Sequence, residues 1–514
     1  MKNFLKICRR ATCGAVPAAL LAGCVEREAR PNIIFIFPDQ MRNAAMGFWS
    51  DEEYKDYVPW QGDPVNTPNL DRMAEESVVF SRAHSSYPVS SPYRGMFLTG
   101  MYPEGSGIPM NCISTRPYST LNPDAVCISD VLSEAGYNCG YIGKLHAEFP
   151  TPDDPENPGH YVSDRMPEWD TYTPPERRHG FDFWYSYGTF DEHNNPHYWD
   201  KDGHRHEPKE FSVKHEVNVA ISYLRNEHGE RDKKKPFFLV MSLNPPHSPY
   251  NSLKDCMEED FVQYKEKSFA ELFVRPNADT TMNKAKSVRY YFSNVSTVDR
   301  QLGRLFDEIK NLRLEENTII VFTSDHGETM CSQGVTDPKN SIYSESFNVP
   351  FLIRWKGHIE HRVDSTLISP TDIFPTLLGL AGLSAKAPET LQGYDLASHI
   401  LDEGAECTLP RSVLYIKNAD EPKDEEGLIH GYFPMTRGIK TARHSLAITL
   451  NRDTTIREIQ MFDDIADPYQ FHNIGIEENS ELYNDLCATL AQKLVDTQDP
   501  WHRNGIMRKI WKQK

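Results

Sequence analysis

Five short stretches of this chain hold residues whose types and spacing can do chemistry on an anion. Ser90-Ser91-Pro92-Tyr93-Arg94 runs on into Gly95-Met96-Phe97-Leu98-Thr99-Gly100. A hydroxyl, a proline preset for a first helical turn, an arginine one turn on and an apolar run ending in glycine predict a loop entering a buried helix, with Ser90 at its mouth. Ser-x-Pro-x-Arg is a weak pattern alone, so its meaning depends on the other four stretches.

Asp39-Gln40 follows the apolar run Asn32 to Phe37, and Asp325-His326-Gly327 follows Thr318 to Phe322. Two acids, an amide and an imidazole at strand ends can converge on one hard divalent cation, and oxygen donors suit calcium or magnesium better than zinc. Taken singly, Asp39 and Asp325 also read as helix N-caps; flanking a Ser90 loop together, they read as a metal site. Gly143-Lys144-Leu145-His146 ends a third run, and alternation along an extended segment would send Lys144 and His146 to one side as a fixed cation and an acid/base. Lys144 alone also reads as a solvated surface lysine. Asn244-Pro245-Pro246-His247-Ser248-Pro249-Tyr250 follows a fourth run, its prolines fixing the direction of His247, with a purely structural turn as the alternative. Lys339 precedes Tyr343 by four residues, and spacing leaves open whether it returns to the same pocket as an anion clamp.

The elements that must hold these groups are the apolar runs themselves. Asn32 to Phe37, Asn138 to Ile142, Phe237 to Leu243 and Thr318 to Phe322 are β-rich runs of the kind buried in a parallel sheet. Val298, Leu302, Leu305, Phe306 and Ile309 fall on one helical face between the last two. The predicted fold is α/β, a large mostly parallel sheet sandwiched by helices, with the chemistry at the carboxyl ends of its strands. Past Leu383 the pattern alternates as antiparallel strands do. Ser412 to Lys417 and Leu446 to Leu450, with Met435 to Lys440 between them, and a closing helix over Ser480 to Thr497 predict a smaller α+β subdomain. The division expected is a catalytic domain over residues 24–383 and a C-terminal subdomain over 384–514. Thr151 to Arg178 and His193 to Lys209 read as long loops.

Composition narrows the function classes. The chain has 514 residues, with 55 basic against 74 acidic side chains and a net charge of −19. That balance argues against a nucleic-acid or anionic-lipid surface, so an anionic substrate must meet locally placed cations. Lys2, Lys6, Arg9 and Arg10, the apolar stretch Ala11 to Leu21, and Leu21-Ala22-Gly23-Cys24 predict a lipoprotein signal over residues 1–23. Cys24 would then be acylated after cleavage. The expected product is an exported bacterial lipoprotein, periplasmic or at the cell surface, touching membrane only through its lipid. Of the ten cysteines, Cys8 and Cys13 would be lost with the signal, and the seven after Cys24, Cys112, Cys127, Cys139, Cys256, Cys331, Cys407 and Cys487, lack CxxC spacing, which argues against a thiolate zinc cage.

Taken together, these segments resemble the type I sulfatases of the alkaline phosphatase superfamily, from Pro31 to Trp501. Ser90 to Gly100 is similar to the family's Cys/Ser-x-Pro-x-Arg signature and its Thr-Gly end, and Thr67-Pro68-Asn69-Leu70-Asp71 resembles the lead-in. Gly143 to His146, Pro246 to Tyr250, Thr323 to Glu328, and the Lys339/Tyr343 pair each resemble a family element, and Asp467-Pro468-Tyr469 lies where a similar turn occurs.

The resemblance implies an alkaline-phosphatase-like fold and hydrolysis of sulfate esters on carbohydrates, a desulfating step in the breakdown of sulfated host or algal glycans. It implies that Ser90 is the precursor of formylglycine, an aldehyde whose hydrate attacks sulfur and then expels sulfate. It implies one Ca²⁺ held by Asp39, Gln40, Asp325, His326 and the modified Ser90. Arg94, Lys144 and Lys339 would neutralise the sulfate oxygens, His247 would protonate the leaving oxygen, and His146 would help expel sulfate. A serine precursor implies an anaerobic formylglycine-generating maturase as partner.

Gln40 stands where many members have a second aspartate. Tyr93 replaces a frequent serine, and Gln333 a frequent histidine; both of these departures bear on the substrate pocket. The segment Thr189 to Trp199 is dense in polar and aromatic groups, so His193 and His197 are expected sugar contacts. The leading reading is an exo-acting carbohydrate sulfatase. The alternatives are a two-metal phosphomonoesterase or phosphodiesterase of the same superfamily, and a noncatalytic glycan-binding lipoprotein.

Overall fold

The computed structural model describes residues 30–512, so the expected signal segment and Cys24 lie outside the described residues. Ten strands form one sheet: β1 (Asn32–Pro38), β2 (Val78–Phe80), β3 (Asn138–Lys144), β4 (Phe183–Tyr187), β5 (Tyr198–Asp200), β6 (Arg205–His206), β7 (Phe237–Leu243), β8 (Thr318–Thr323), β9 (Phe351–Trp355) and β10 (Arg362–Asp364). Their order is β10-β2-β9-β8-β1-β7-β3-β4-β5-β6. The central run β8-β1-β7-β3-β4 is parallel throughout. Antiparallel pairs occur toward the edges, where β9 joins β8 to β2 and β5 joins β4 to β6.

The four runs expected as buried strands are β1, β3, β7 and β8, and every residue in them is buried. Period-2 alternation divides each between two cores. In β1, Ile33, Phe35 and Phe37 enter one hydrophobic cluster, and Ile34 and Ile36 the other. The long helices are α1 (Ser90–Thr99), α2 (Ser212–Arg225), α3 (Val288–Asn311), α4 (Pro370–Leu380) and α5 (Ser480–Asp496). α1 and α4 cover the first face through Phe97, Ile373 and Leu377; α2 and α3 cover the second through Val217, Val298 and Leu302. On α3 the predicted face is fully buried at Val298, Leu302, Leu305 and Ile309, with Phe306 at its rim.

A second, four-stranded antiparallel sheet follows, made of β11 (Val413–Asp420), β12 (Tyr432–Lys440), β13 (His444–Leu450) and β14 (Ile456–Asp463) in that order. The expected middle strand is β12, paired to β11 and β13. α5 packs on this sheet through Leu486, Leu490 and Leu494, and the same core takes in Met96 of α1. The smaller sheet therefore braces the helix that carries Ser90.

The reading of His193 to Lys209 as loop is corrected, because β5 and β6 lie within it. Two- and three-residue strands carry too little alternation to be seen in sequence. No disulfide links the seven described cysteines. Among the described residues no helix is long and apolar enough to cross a membrane.

Candidate active site

Strands β8, β1, β7 and β3 are neighbours and parallel, so the segments leaving their carboxyl ends meet over one edge of the sheet. Asp39-Gln40 leaves β1, Asp325-His326 leaves β8, Lys144 closes β3, and Asn244 to Tyr250 leaves β7. Two residues here take left-handed backbone conformations that side chains rarely adopt, Gln40 (φ 66°) and His146 (φ 45°). Strand alternation is therefore not what brings His146 to the site; a turn after β3 does. Gly143 (φ 97°) lies so close to β7 that a Cβ there would collide with the Ser242 carbonyl. Gly327 passes equally close to the Glu345 carbonyl.

Ser90 opens α1 and is 1% exposed. Its Oγ lies 3.2 Å from Asp39 Oδ2 and 3.2 Å from His326 Nε2. Asp39, Asp325 and His326 each offer a ligand atom within 4.8 Å of the others, and all three are buried. Asp39 Oδ1 is buried without a hydrogen-bond partner. Such an orphaned oxygen in an oxygen-rich donor set fits a hard divalent cation. The helix-cap reading of Asp39 and Asp325 fails, since both sit at strand ends facing each other across Arg94. Burial would raise the Asp39 carboxyl, but Lys144, His247, His326 and Arg94 outweigh it and hold the group well below the usual range. Burial and the Asp39 charge push Asp325 up.

Arg94 is 1% exposed; both terminal nitrogens donate within the protein, while its Nε is buried without a partner. One nitrogen donates to the Lys144 carbonyl and Ser242 Oγ, both at 2.6 Å; the other donates to Asp39 Oδ2 at 3.1 Å and Asp325 Oδ2 at 3.3 Å. Arg94 thus clamps the two carboxylates. Lys144, also 1% exposed, is not the solvated lysine its sequence allowed. Its Nζ is 2.8 Å from Asp39 Oδ2 and 3.3 Å from Asn244 Oδ1.

Lys339 does return to the pocket. Its Nζ lies 3.1 Å from His247 Nε2, 3.3 Å from Gln40 Oε1 and 3.5 Å from His326 Nε2. Burial lowers its pKa. Tyr343 instead packs toward the C-terminal sheet, where its hydroxyl meets Gln460. His247 Nδ1 donates to the Ser248 carbonyl at 2.9 Å and faces Asp191 Oδ1 at 3.4 Å, which leaves Nε2 turned into the site. The peptide bonds before Pro246 and Pro249, on either side of it, are cis. His146 Nε2 donates to the Cys112 carbonyl at 3.2 Å, and its Nδ1 is buried without a partner. Burial, then Lys144 and Arg94, holds the His146 ring well below the usual histidine range, so it stays neutral.

His193 and His197, the expected sugar contacts, are each 2% exposed. His193 Nε2 donates to the His247 carbonyl at 3.0 Å, and His197 Nε2 pairs with Asp170 Oδ2 at 2.7 Å. His197 also packs edge-on against Phe190 and Trp199. Tyr93, 1% exposed, belongs to the core beside Phe37, and Gln333 reaches the Tyr469 carbonyl; neither lines the site.

Two residues given no role by the sequence reading belong here. Asp191 lay inside the polar segment singled out, and its pairing with His247 holds its carboxyl down against the opposing effect of burial. Glu328 ended the quoted Thr323 to Glu328 segment and is fully buried behind Gln40.

The sulfatase family model matches residues 31–383, and the N-sulphoglucosamine sulphohydrolase C-terminal model matches 333–500. The chain is 55% identical over 483 residues, 94% of its length and 95% of the relative's, to an endo-4-O-sulfatase of Bacteroides thetaiotaomicron. It is 31% identical to an ulvan-active sulfatase of Formosa agariphila, over 92% of this chain and 83% of that one. A solved structure from work on the metabolism of multiple glycosaminoglycans by Bacteroides thetaiotaomicron superposes with a TM-score of 0.92 at 55% identity, covering 93% of this chain and 99% of that one. A putative sulfatase from Bacteroides fragilis gives a TM-score of 0.79 at 33% identity, covering 92% and 97%.

Proposed function

The chain belongs to the sulfatase family and hydrolyses sulfate esters of glycans; from that premise we propose that it removes 4-O-sulfate from within glycosaminoglycan-type chains, at the site around Ser90. The observation that carries this reading is the 55% identity to an endo-4-O-sulfatase over 94% of the chain. It replaces the exo-acting reading.

Asp39, Gln40, Asp325 and His326 would hold calcium, and Ser90 converted to formylglycine would be the nucleophile. Calcium supplies positive charge beside the nucleophile and the sulfate oxygens, making attack at sulfur less costly. Arg94 donates to both buried carboxylates and holds them side by side. Lys144 and Lys339 present ammonium groups toward the position of the sulfate, stabilising charge that builds on its oxygens. His247, with Nδ1 held by the Ser248 carbonyl and Asp191, turns Nε2 to the leaving oxygen and gives it a proton. His146, kept neutral with Nδ1 free, takes a proton at that atom when sulfate is released. Export as a lipoprotein through Cys24 and dependence on an anaerobic maturase complete the proposal.

The test is sulfate release by the matured enzyme from oligosaccharides of increasing length bearing 4-O- or 6-O-sulfate. Release from internal 4-O-sulfated units is expected. Release from terminal units alone, or from 6-O-sulfated chains alone, would reject the assignment.

A further inference from the structure

Gln40 is the departure from the family pattern that the site has to explain. A neutral amide replaces an acid at a metal-ligand position, and its two ends are chemically different. Its Nε2 faces Glu328 Oε2 and lies 3.3 Å from the Tyr250 hydroxyl. Its Oε1 faces the site, 3.3 Å from Lys339 Nζ. Its backbone is pinned as well, the amide donating to Asp325 Oδ1 at 3.0 Å and the carbonyl accepting from the Tyr291 hydroxyl at 2.9 Å.

Glu328 is 0% exposed, and each of its oxygens is engaged. Oε2 accepts from Tyr250 at 2.7 Å and from Gln40; Oε1 accepts from Lys284 at 2.6 Å and from the Met330 amide at 2.8 Å. The carboxylate thereby ties together the segments that leave β1, β7 and β8.

We propose that Glu328 is a positioning residue that decides which end of Gln40 reaches the metal. As an acceptor facing Nε2, it sends Oε1 forward to the cation and to Lys339. The same acceptor forbids an acid at position 40, because a glutamate there would set two carboxylates against each other in a buried space. The charge missing from the ligand shell is thus present one layer out, balanced by Lys284. This rests on the reading of Gln40 as a metal ligand.

The experiment is calcium titration by calorimetry of the full chain and of Q40E, E328Q and Q40E/E328Q, each made in the same background, with metal-free melting temperatures alongside. One calcium bound per wild-type chain tests the metal site itself, independently of the exchange. E328Q and Q40E are each expected to weaken calcium binding by about 10- to 100-fold, the range for lost outer-shell partners. Q40E/E328Q is expected to bind more tightly than either single variant, since the amide introduced at position 328 can donate to the carboxylate introduced at position 40. A double variant no tighter than Q40E, or E328Q binding within twofold of wild type, would overturn the proposal. If E328Q alone does not fold, the comparison of Q40E with Q40E/E328Q still decides it.

Discussion

At the scale of single residues, the site is a set of buried charges that compensate one another. Arg94 alone neutralises parts of two carboxylates, and Lys144 approaches the same cluster from the end of β3 and Lys339 from the segment after β8. Any one of them removed leaves a buried charge uncompensated, so loss of activity in such variants mixes chemistry with stability. His247 offers a cleaner test, because its ring is only partly buried and it sits at the edge of the cluster. H247A should lower kcat by about 10²- to 10⁴-fold on a sugar sulfate with little change in KM. On an aryl sulfate whose phenolate leaves without a proton, the loss should be much smaller. Steady-state kinetics on the two substrates checks this, and an equal loss on both would remove His247 as the general acid.

At the scale of elements, the site depends on close contact between β3, β7 and the helix packed on them. Gly143 can approach Ser242 because it lacks a side chain, and Glu216 of α2 lies against it, fully buried, with Oε1 accepting from Tyr198 at 3.0 Å. Burial raises the Glu216 carboxyl to about 8. The folded protein therefore holds a proton there that the unfolded chain releases above the ordinary carboxylate range. Stability from this group is full below about pH 4.5 and is lost as pH rises toward 8, by up to about 5 kcal/mol. E216Q should melt like wild type near pH 5 and progressively above it by pH 8. A melting-temperature difference that does not change over this range would contradict the shift.

Much at this scale was readable beforehand. β1, β3, β7 and β8 are buried on both faces, which writes them as unbroken apolar runs, and α1 is bracketed by Pro92 and Gly100. β2, β5, β6 and β10 were not readable, being too short to show a period. Lys339 was readable only as a spacing, since its return to the pocket follows a path bent by left-handed residues at Met330, Cys331, Gln333 and Asn340. His193 and His197 sit in a segment whose composition looks like a sugar surface, yet tertiary packing buries them. Glu328 and Asp191 act through partners on other strands, which no local pattern records.

At the scale of the whole molecule, the two sheets meet through α1. Its Phe97 stacks on Phe35 of the large sheet with ring centroids 4.2 Å apart, while Met96 enters the core of the small one. The segment bearing Ser90 is thus held from both sides, and a cation held by Asp39, Asp325 and His326 would tie it to the ends of β1 and β8. Binding to the native state alone adds stability, about 2.7 kcal/mol at a hundredfold excess over Kd. Chelation should therefore lower both activity and the melting temperature, and added calcium should restore both. Differential scanning calorimetry with and without chelator reads this directly; a melting temperature indifferent to chelator would argue against a calcium site at Asp39, Asp325 and His326.

The central claim is that Ser90 reacts as an aldehyde and not as a hydroxyl. Mass spectrometry of the peptide containing Ser90, from enzyme active on a sulfated glycan and made alongside an anaerobic maturase, tests it most directly. The account predicts a peptide lighter by two hydrogens than its sequence. Full activity from protein whose Ser90 peptide is entirely unmodified would contradict it.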